Sequence, residues 1–496
     1  MTRYLVAVDA GTSMIKAVLI GDDGVVYGHS DAPVVRDNQP GLDPNQFWKT
    51  TADVISTLVS NHADIPLHGV VVAGQGDGLW MLGPAGRVAE RAYLWNGSEG
   101  ADVVTKWSAS GVIDDHFGLC GTVLWSGSQA ALWAWYRDAF PVEAKGVTAA
   151  FCAKDLINYQ LTGVIATDLT DASIPFLDLA TNTYSAQAAR LLGVEDLLAL
   201  CPPIGESGQL LGSVTAAASL ATGVPEGTPV FQGAIDVVAM LWGSGLGTPG
   251  DVLAVLGTTA VSMTVTSDIR PASELSGATL CVGEGVRLRV MGSSSGTATL
   301  EWYMNLAGYQ GDDRYEKLWA DVRLGQEGAE LFLPYLVGER APILAPHATG
   351  TFLGLTPQTD NARMARAVTE GITHALRWGV DAVLADDTSH SLGQVVLAGG
   401  GSKASDWAGQ VANCLGVPIT VDGRADLGAR GVARAVFGHV HATQSRDDVV
   451  TVSPDYNHTA VSHRYQAFRD AVTTLSPLWS GDHTGLDPMR KDSDVD

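Results

Sequence analysis

Val6-Ala7-Val8-Asp9-Ala10-Gly11-Thr12-Ser13, running on into Ile15-Lys16-Ala17-Val18-Leu19-Ile20, decides how this chain is read. An apolar strand meets an acid, breaks at small residues and resumes as a second apolar strand. Asp23-Gly24 then supplies tight-turn chemistry, and a third apolar stretch begins at Val25. The spacing predicts a hairpin with Asp9 just ahead of a tip in which Gly11, Thr12 and Ser13 expose backbone N–H groups. Phosphate oxygens can approach such a tip closely, because glycine carries no Cβ and the hydroxyls add donors. A carboxylate beside it suits a hydrated Mg²⁺ brought in by a nucleotide. A plain turn between strands has the same pattern, so this stretch alone leaves both readings open.

The pattern occurs twice. Val252 to Leu256, Gly257-Thr258-Thr259, then Ala260 to Met263 is again strand, Gly-Thr tip, strand. Val70-Val71-Val72-Ala73-Gly74-Gln75-Gly76 is matched by Val395-Val396-Leu397-Ala398-Gly399-Gly400-Gly401. Two variants of one αβ design, each with a Gly-Thr tip and a glycine-ended strand, suggest a nucleotide held in a cleft between them.

At 496 residues the chain has room for two or more domains. Its 46% hydrophobic and 17% charged content fits a folded protein rather than a disordered one. A net charge of −24 speaks against nucleic acid or an anionic membrane as partner. The five cysteines have no metal-ligand spacing and read as reduced thiols. No signal peptide or long apolar span is legible, so the expectation is a soluble cytoplasmic enzyme.

Asp43-Pro44-Asn45-Gln46 reads as a helix start with Asp43 as N-cap and Gln46 closing a capping box. Phe47, Val54, Ile55, Leu58 and Val59 then share one face. In Gly74-Gln75-Gly76-Asp77-Gly78, Gln75 and Asp77 stand at a strand's carboxyl end, able to hold hydroxyls or to be solvated turn residues. Trp125, Trp133 and Trp135 are mostly core candidates, with one free to stack on a sugar. Lys154 to Leu161 reads as a short helix closed by Gly163, and Thr167 to Ser173 as a polar loop. Asp236 precedes an apolar helical run and reads either as a cap or as a general base. Residues 244–250 form a turn-rich boundary. A helix of roughly 24 residues is expected from Asn361, another after Gly399-Gly400-Gly401-Ser402, and a polar tail from about Pro477.

Taken in order, these motifs resemble the FGGY family of carbohydrate kinases, within the actin-like ATPase superfamily. The residues that carry the resemblance are Asp9 to Ser13, Lys154-Asp155-Leu156 to Gly163, Thr167-Asp168 to Ser173 and Gly233-Ala234-Ile235-Asp236. Leu256 to Thr259, Gly338-Glu339-Arg340-Ala341-Pro342, Phe352 to Leu355 and Gly399 to Ser402 complete it. The resemblance implies an α/β fold of two RNase H-like domains around a catalytic cleft. Residues 1–244 would be the sugar-binding domain and 245–496 the nucleotide-binding domain. It implies ATP and Mg²⁺, with Asp236 as base and Asp9 orienting the metal, both carboxylates facing it. Gly11, Thr12 and Ser13 with Gly257, Thr258 and Thr259 would cradle the phosphates. Gly399, Gly400, Gly401 and Ser402 would face the adenosine, with Asn413 at the base. Gln75, Gly76, Asp77, Trp95 and Asp236 would bind the alcohol. A homodimer is left open.

Family members acting on D-xylulose typically carry Met-His where Gly76-Asp77 stand here. Gly-Gln-Gly-Asp-Gly is similar to erythritol kinases and, more loosely, to kinases for L-xylulose and 3-keto-L-gulonate. Gly97 and Glu99 replace an Asp and an Arg common in relatives, and Val237 replaces an Asn after the base. A short neutral polyol or ketose is therefore expected. Xylulokinase activity and a catalytically silent sugar-binding relative are the alternatives.

Overall fold

The computed structural model describes residues 2–269, 272–273, 275–283, 285–325, 328–438, 449–455 and 458–479. The opening hairpin forms as the spacing predicts. Strands β1 (Tyr4–Ala10), β2 (Met14–Gly21) and β3 (Val26–Pro33) make an antiparallel meander. Strand β4 (Leu67–Gly74) lies parallel to β1, β5 (Leu210–Ser213) forms the edge, and β6 (Pro229–Phe231) runs parallel to β4. The order is β5-β6-β4-β1-β2-β3. Leu5 to Val8 and Val70 to Ala73 are fully buried, as unbroken apolar runs at the centre of a sheet should be.

Helix α1 (Pro44–Ser60) links β3 to β4, and Asp43 caps it by accepting from Asn45 N (2.8 Å) and Gln46 N (3.2 Å). The capping box is not closed: Gln46 turns along the helix and donates to Thr50 Oγ1. Between β4 and β5 lie helices α2 (Gln129–Ala139), α3 (Ala153–Thr162) and α4 (Leu169–Phe176). The stretch Thr167–Ser173, expected as a polar loop, is buried, and most of it is the start of α4. Asp168 caps that helix by accepting from Thr170 N and Asp171 N. Its polar side chains are buried because they have internal partners, described below. Helix α5 (Asp236–Gly243) follows β6.

The second lobe comprises β7 (Val252–Leu256), β8 (Ala260–Thr266), β9 (Ala278–Gly283) and β10 (Val286–Gly292), then helix α6 (Thr297–Leu306). Helix α7 (Asn361–Asp386), β11 (Val395–Ala398), helix α8 (Ser405–Leu415), β12 (Ile419–Asp422), helix α9 (Leu427–Phe437) and β13 (Val449–Val452) complete it. Its sheet order is β9-β10-β8-β7-β11-β12-β13. Without the extra edge strand β9, this repeats the first lobe: a meander, two parallel strands and an antiparallel edge. The two lobes are RNase H-like copies of one design. Trp479, within the stretch expected to be tail, packs edge-on against Tyr335 at 5.8 Å and is buried; residues 480–496 lie outside the described residues.

The lobes meet through α5 and α9, the helices that follow the outer parallel strand of each sheet. A Cβ on Gly431 would stand 1.7 Å from the Ala239 carbonyl oxygen, and one on Gly243 2.0 Å from that of Leu427. The helices thus cross backbone to backbone, and both crossing points need glycine. Leu5, Ala7 and Val71 from one sheet share an apolar core with Leu253, Met263 and Val396 from the other. Near β9 the first lobe also reaches over: Val123 N donates to Gly277 O (2.9 Å) and Thr279 N to Thr122 Oγ1 (3.1 Å).

Candidate active site

Strand register brings the first lobe's acids together. Ala10 pairs with Gly74, and Gly74 forms a bridge to Ile235. Asp9, the Gln75-Gly76-Asp77 segment and Asp236 therefore leave from adjacent carboxyl ends of parallel strands, where open α/β sheets bind ligands. Burial raises the pKa of Asp9 against the opposing charge of Lys16, its partner across the β1–β2 ladder. Lys16, which sequence reasoning passed over, donates from Nζ to Ala425 O of the second lobe at 3.0 Å. Asp236 is pushed up to about 7, first by burial and then by the charge of Asp9, against one hydrogen bond from Val237 N (2.8 Å). Two half-buried carboxylates, with the charge of Asp9 opposing ionisation of Asp236, form an all-oxygen donor set. A hard divalent cation such as Mg²⁺ fits that set.

At the carboxyl end of β4, Gln75 N donates to Ala10 O (3.0 Å). Thr12 Oγ1 donates to Gln75 Oε1 (3.1 Å) and accepts from Trp95 Nε1 (3.0 Å), tying the first tip to the strand end. Gln75 Nε2 is buried without a partner. Asp77 adopts a left-handed backbone conformation (φ 57°), uncommon for a residue with a side chain. Its Oδ1 accepts from Gln129 N at 2.6 Å, while Oδ2 is buried and unpartnered. Burial holds this carboxyl well above the usual range. A Cβ on Gly76 would lie 2.0 Å from Ile235 Cδ1, so a side chain there would have to displace Ile235.

Gly76, Asp77, Trp95 and Asp236 share the wall of one cavity of about 270 Å³ with Thr259 and Arg340 of the second lobe. Trp125 is the tryptophan of its group that lines this cavity, with its Nε1 donating to Trp95 O (2.7 Å). Trp133 is core, stacked on Tyr136. Arg340, quoted as a motif but given no role, is the single cation on the wall among the described residues.

The two tips are tight. Gly11 N donates to Met14 O (3.0 Å), and the Thr12 and Ser13 amides have no partner among the described residues. Gly257 N donates to Thr259 O (3.1 Å), while Thr297 N and Ala298 N of α6 donate to Gly257 O and Thr258 O. Gly399 takes φ +92°, and a Cβ there would sit 2.6 Å from Leu256 O. The Gly399-Gly400-Gly401 run is thus pressed against the base of the second tip, with Ser402 Oγ donating to Gly399 O (2.7 Å). Asn413 is not brought to this run. It stands two turns along α8, where its carboxamide donates to Asp455 Oδ1 (2.9 Å) and accepts from Asp455 N (3.1 Å). It lines a separate cavity with Arg366 and His374.

The largest feature missed from sequence lies beneath the end of β4. Lys154 Nζ sits 2.6 Å from Asp155, 2.9 Å from Asp168 and 2.8 Å from Asp171, all fully buried. Burial alone would favour the neutral amine, but the three carboxylates outweigh it and hold Lys154 charged. Asp171 is pushed up to about 8 by burial and by its acidic neighbours, against Lys154. A Cβ on Gly76 would meet Asp171 Oδ1 at 2.9 Å, so the cluster directly supports the strand end. Cys152, Asp155 and Asp171 have metal-ligand proximity, but the Lys154 ammonium already supplies the positive charge to that group. All five cysteines are free, and no helix among the described residues is long and apolar enough to cross a membrane.

The comparisons with known proteins agree with this geometry. The family model for the N-terminal domain of the FGGY family of carbohydrate kinases matches residues 4–243, and that for the C-terminal domain matches 252–437. An erythritol kinase of Brucella abortus is 27% identical, covering 96% of this chain and 97% of its own. A xylulose kinase of Escherichia coli is 28% identical, over 96% and 98%. The crystal structure of xylulose kinase from Rhodospirillum rubrum superposes with a TM-score of 0.86 at 25% identity, covering 96% of this chain and all of that one.

Proposed function

The chain belongs to the FGGY family of carbohydrate kinases, and from that premise we propose that it transfers the γ-phosphoryl group of ATP to a hydroxyl of a short polyol or ketose. The observation that carries this reading is the convergence of Asp9, Gln75, Asp77 and Asp236 at adjacent strand ends, with Asp77 and Asp236 sharing a cavity wall with Thr259 of the opposite lobe.

In this reading residues 1–244 hold the alcohol and 245–496 the nucleotide. Asp77 Oδ2 accepts a hydroxyl of the alcohol, since that oxygen is buried and otherwise unpartnered. Asp236 accepts the proton of the attacking hydroxyl; a carboxyl raised to about 7 is a competent base near neutrality. The unpartnered amides of Thr12 and Ser13, with the Gly257–Thr259 tip, hold phosphate oxygens. The Gly399–Ser402 turn faces the adenosine, and Arg340 adds positive charge from the second lobe. Mg²⁺, when bound, would be held by Asp9 and Asp236 and would neutralise phosphate charge, the main requirement of phosphoryl transfer. Trp95 and Trp125 exclude water from the reacting hydroxyl's side of the cavity.

ADP release, followed with a coupled assay over tetritols, pentitols and pentuloses, tests the reading. A specific alcohol should raise release well above the rate with ATP alone, and Asp236→Ala should abolish that increase while leaving nucleotide binding intact. Unchanged alcohol-dependent turnover in the variant would remove Asp236 from its role. The similarity to xylulose kinases makes a pentulose acceptor the second reading, and the same panel separates it from a tetritol.

A further inference from the structure

The cavity that holds Asp77 and Asp236 is lined mostly by apolar side chains, with few polar groups among them. Four carry unused hydrogen-bonding capacity: Asp77 Oδ2, Asp236, the Thr259 hydroxyl and the Arg340 guanidinium, whose Nε donates to Gly292 O. The indole N–H groups of Trp95 and Trp125 are engaged with Thr12 and the Trp95 carbonyl. The apolar wall includes Val123, Leu124 and Ile174 from the first lobe and Val261, Leu280 and Val290 from the second. The second-lobe wall is one face of three neighbouring strands, in which Val261 lies opposite Gly292, and Ala278 opposite Val290. That face continues through Met263 and Leu288 into the apolar core shared by the lobes. Side-chain alternation in the strands sets this face apolar, and no backbone donor or acceptor of β8 or β10 is turned into it.

A fully hydroxylated tetritol or pentulose carries a hydroxyl on nearly every carbon. Its head can be served by Asp77 and Asp236, but hydroxyls lodged against Leu280 and Val290 would lose water and gain no partner. A carbon bearing only hydrogen suffers no such loss and gains by burying apolar area. We infer that the preferred acceptor is hydroxylated at the reacting end and deoxygenated at the other: a terminally deoxy alditol or ketose whose methyl or alkyl end packs against Leu280 and Val290. This inference rests on the kinase reading and narrows its substrate class.

The test uses matched pairs in the coupled ADP assay: erythritol against its 4-deoxy counterpart butane-1,2,3-triol, and pentitols and pentuloses against their 5-deoxy forms. The deoxy member should have at least tenfold higher kcat/KM than its parent in the best-used pair, equivalent to about 1.4 kcal/mol. Val290→Thr, which puts a hydroxyl on the wall at nearly constant volume, should narrow that ratio severalfold in favour of the parent. If each parent is used as well as or better than its deoxy form, the inference is overturned while the kinase reading stands. A deoxy preference that Val290→Thr leaves unmoved would also overturn it, because the tail would then lie elsewhere. Should no alcohol stimulate ADP release, the kinase reading fails and the inference with it.

Discussion

Replacing Asp236 by Asn should make the protein more stable and catalytically silent at once. Burial and the Asp9 charge lift the Asp236 carboxyl from its ordinary 3.8 to about 7. A shift of roughly three units corresponds to about 4 kcal/mol of strain against the ionised form, at about 1.4 kcal/mol per unit. Because the carboxylate opens onto a cavity that water enters, this is an upper bound. Asn keeps the size of the side chain and can still accept from Val237 N, but carries no charge for Asp9 to oppose.

The pH dependence follows from linkage. Between about pH 4 and 7 the folded state keeps a proton on Asp236 that the unfolded chain has lost, so stability falls as pH rises through this window. The Asn variant lacks that loss. Its advantage over the parent should be largest at pH 8, amounting to one to a few kcal/mol and a few degrees in Tm. It should shrink towards zero near pH 4. Urea and thermal denaturation of both proteins at pH 8 and pH 5, without nucleotide or metal, read this directly, while the coupled assay reads the lost turnover. The same protonation should give alcohol kcat/KM an acid limb near pH 7, moved lower where cation and nucleotide favour the carboxylate. An Asn variant no more stable than the parent at pH 8, or equally advantaged at both pH values, would refute the burial argument for Asp236.

Lys154→Met should lower stability by about 3–5 kcal/mol, because it leaves Asp155, Asp168 and Asp171 buried without their cation; the loss in a urea midpoint checks it. Gly431→Ala should cost about 1–3 kcal/mol by forcing α9 away from the Ala239 carbonyl. Because that contact joins the lobes, turnover should fall along with Tm.

The parts of the fold legible in sequence were those written in local patterns. Alternating and continuous apolar runs around Gly11 and Gly257 marked the two meanders, and the echo between Val70–Gly76 and Val395–Gly401 marked the duplication. Glycine follows Ala398 because the Leu256 backbone of the neighbouring strand lies too close for a side chain, and glycine ends β4 where Lys154 of α3 packs against it. What was not legible depends on three-dimensional neighbours. Thr167–Ser173 reads as a loop because its polarity suggests solvent, yet Lys154, 14 residues before Asp168, satisfies it from inside. Asn413 is aligned with an adenine contact only if α8 presents that face, and its partner Asp455 is 42 residues away. The apolar wall of the catalytic cavity combines segments near residues 123, 174, 280 and 290, which no local window brings together.

The duplication also explains how one scaffold can handle two chemically opposite ligands. Asp9 stands two residues before the glycine of the first tip; Val255 stands at the matching place before Gly257. After the equivalent glycines that end β4 and β11, the first lobe continues Gln75-Gly76-Asp77 and the second Gly400-Gly401-Ser402. The helix after the outer parallel strand opens with Asp236 in one lobe and with Leu427 in the other. At the first two of these positions the first lobe carries an acid and the second carries none; at the third, the acids of the second lobe, Asp422 and Asp426, are paired with Arg424 and Arg430. In the proposed reading, a polyphosphate is accordingly placed on the second lobe, while an alcohol that must lose a proton finds its acceptors, Asp77 and Asp236, on the first. Transfer requires the phosphoryl group to approach the acidic face. Positive charge must then be available where the lobes meet, and Lys16 reaching to Ala425 and Arg340 on the cavity wall are placed to supply it, to which the proposed Mg²⁺ would add when held by Asp9.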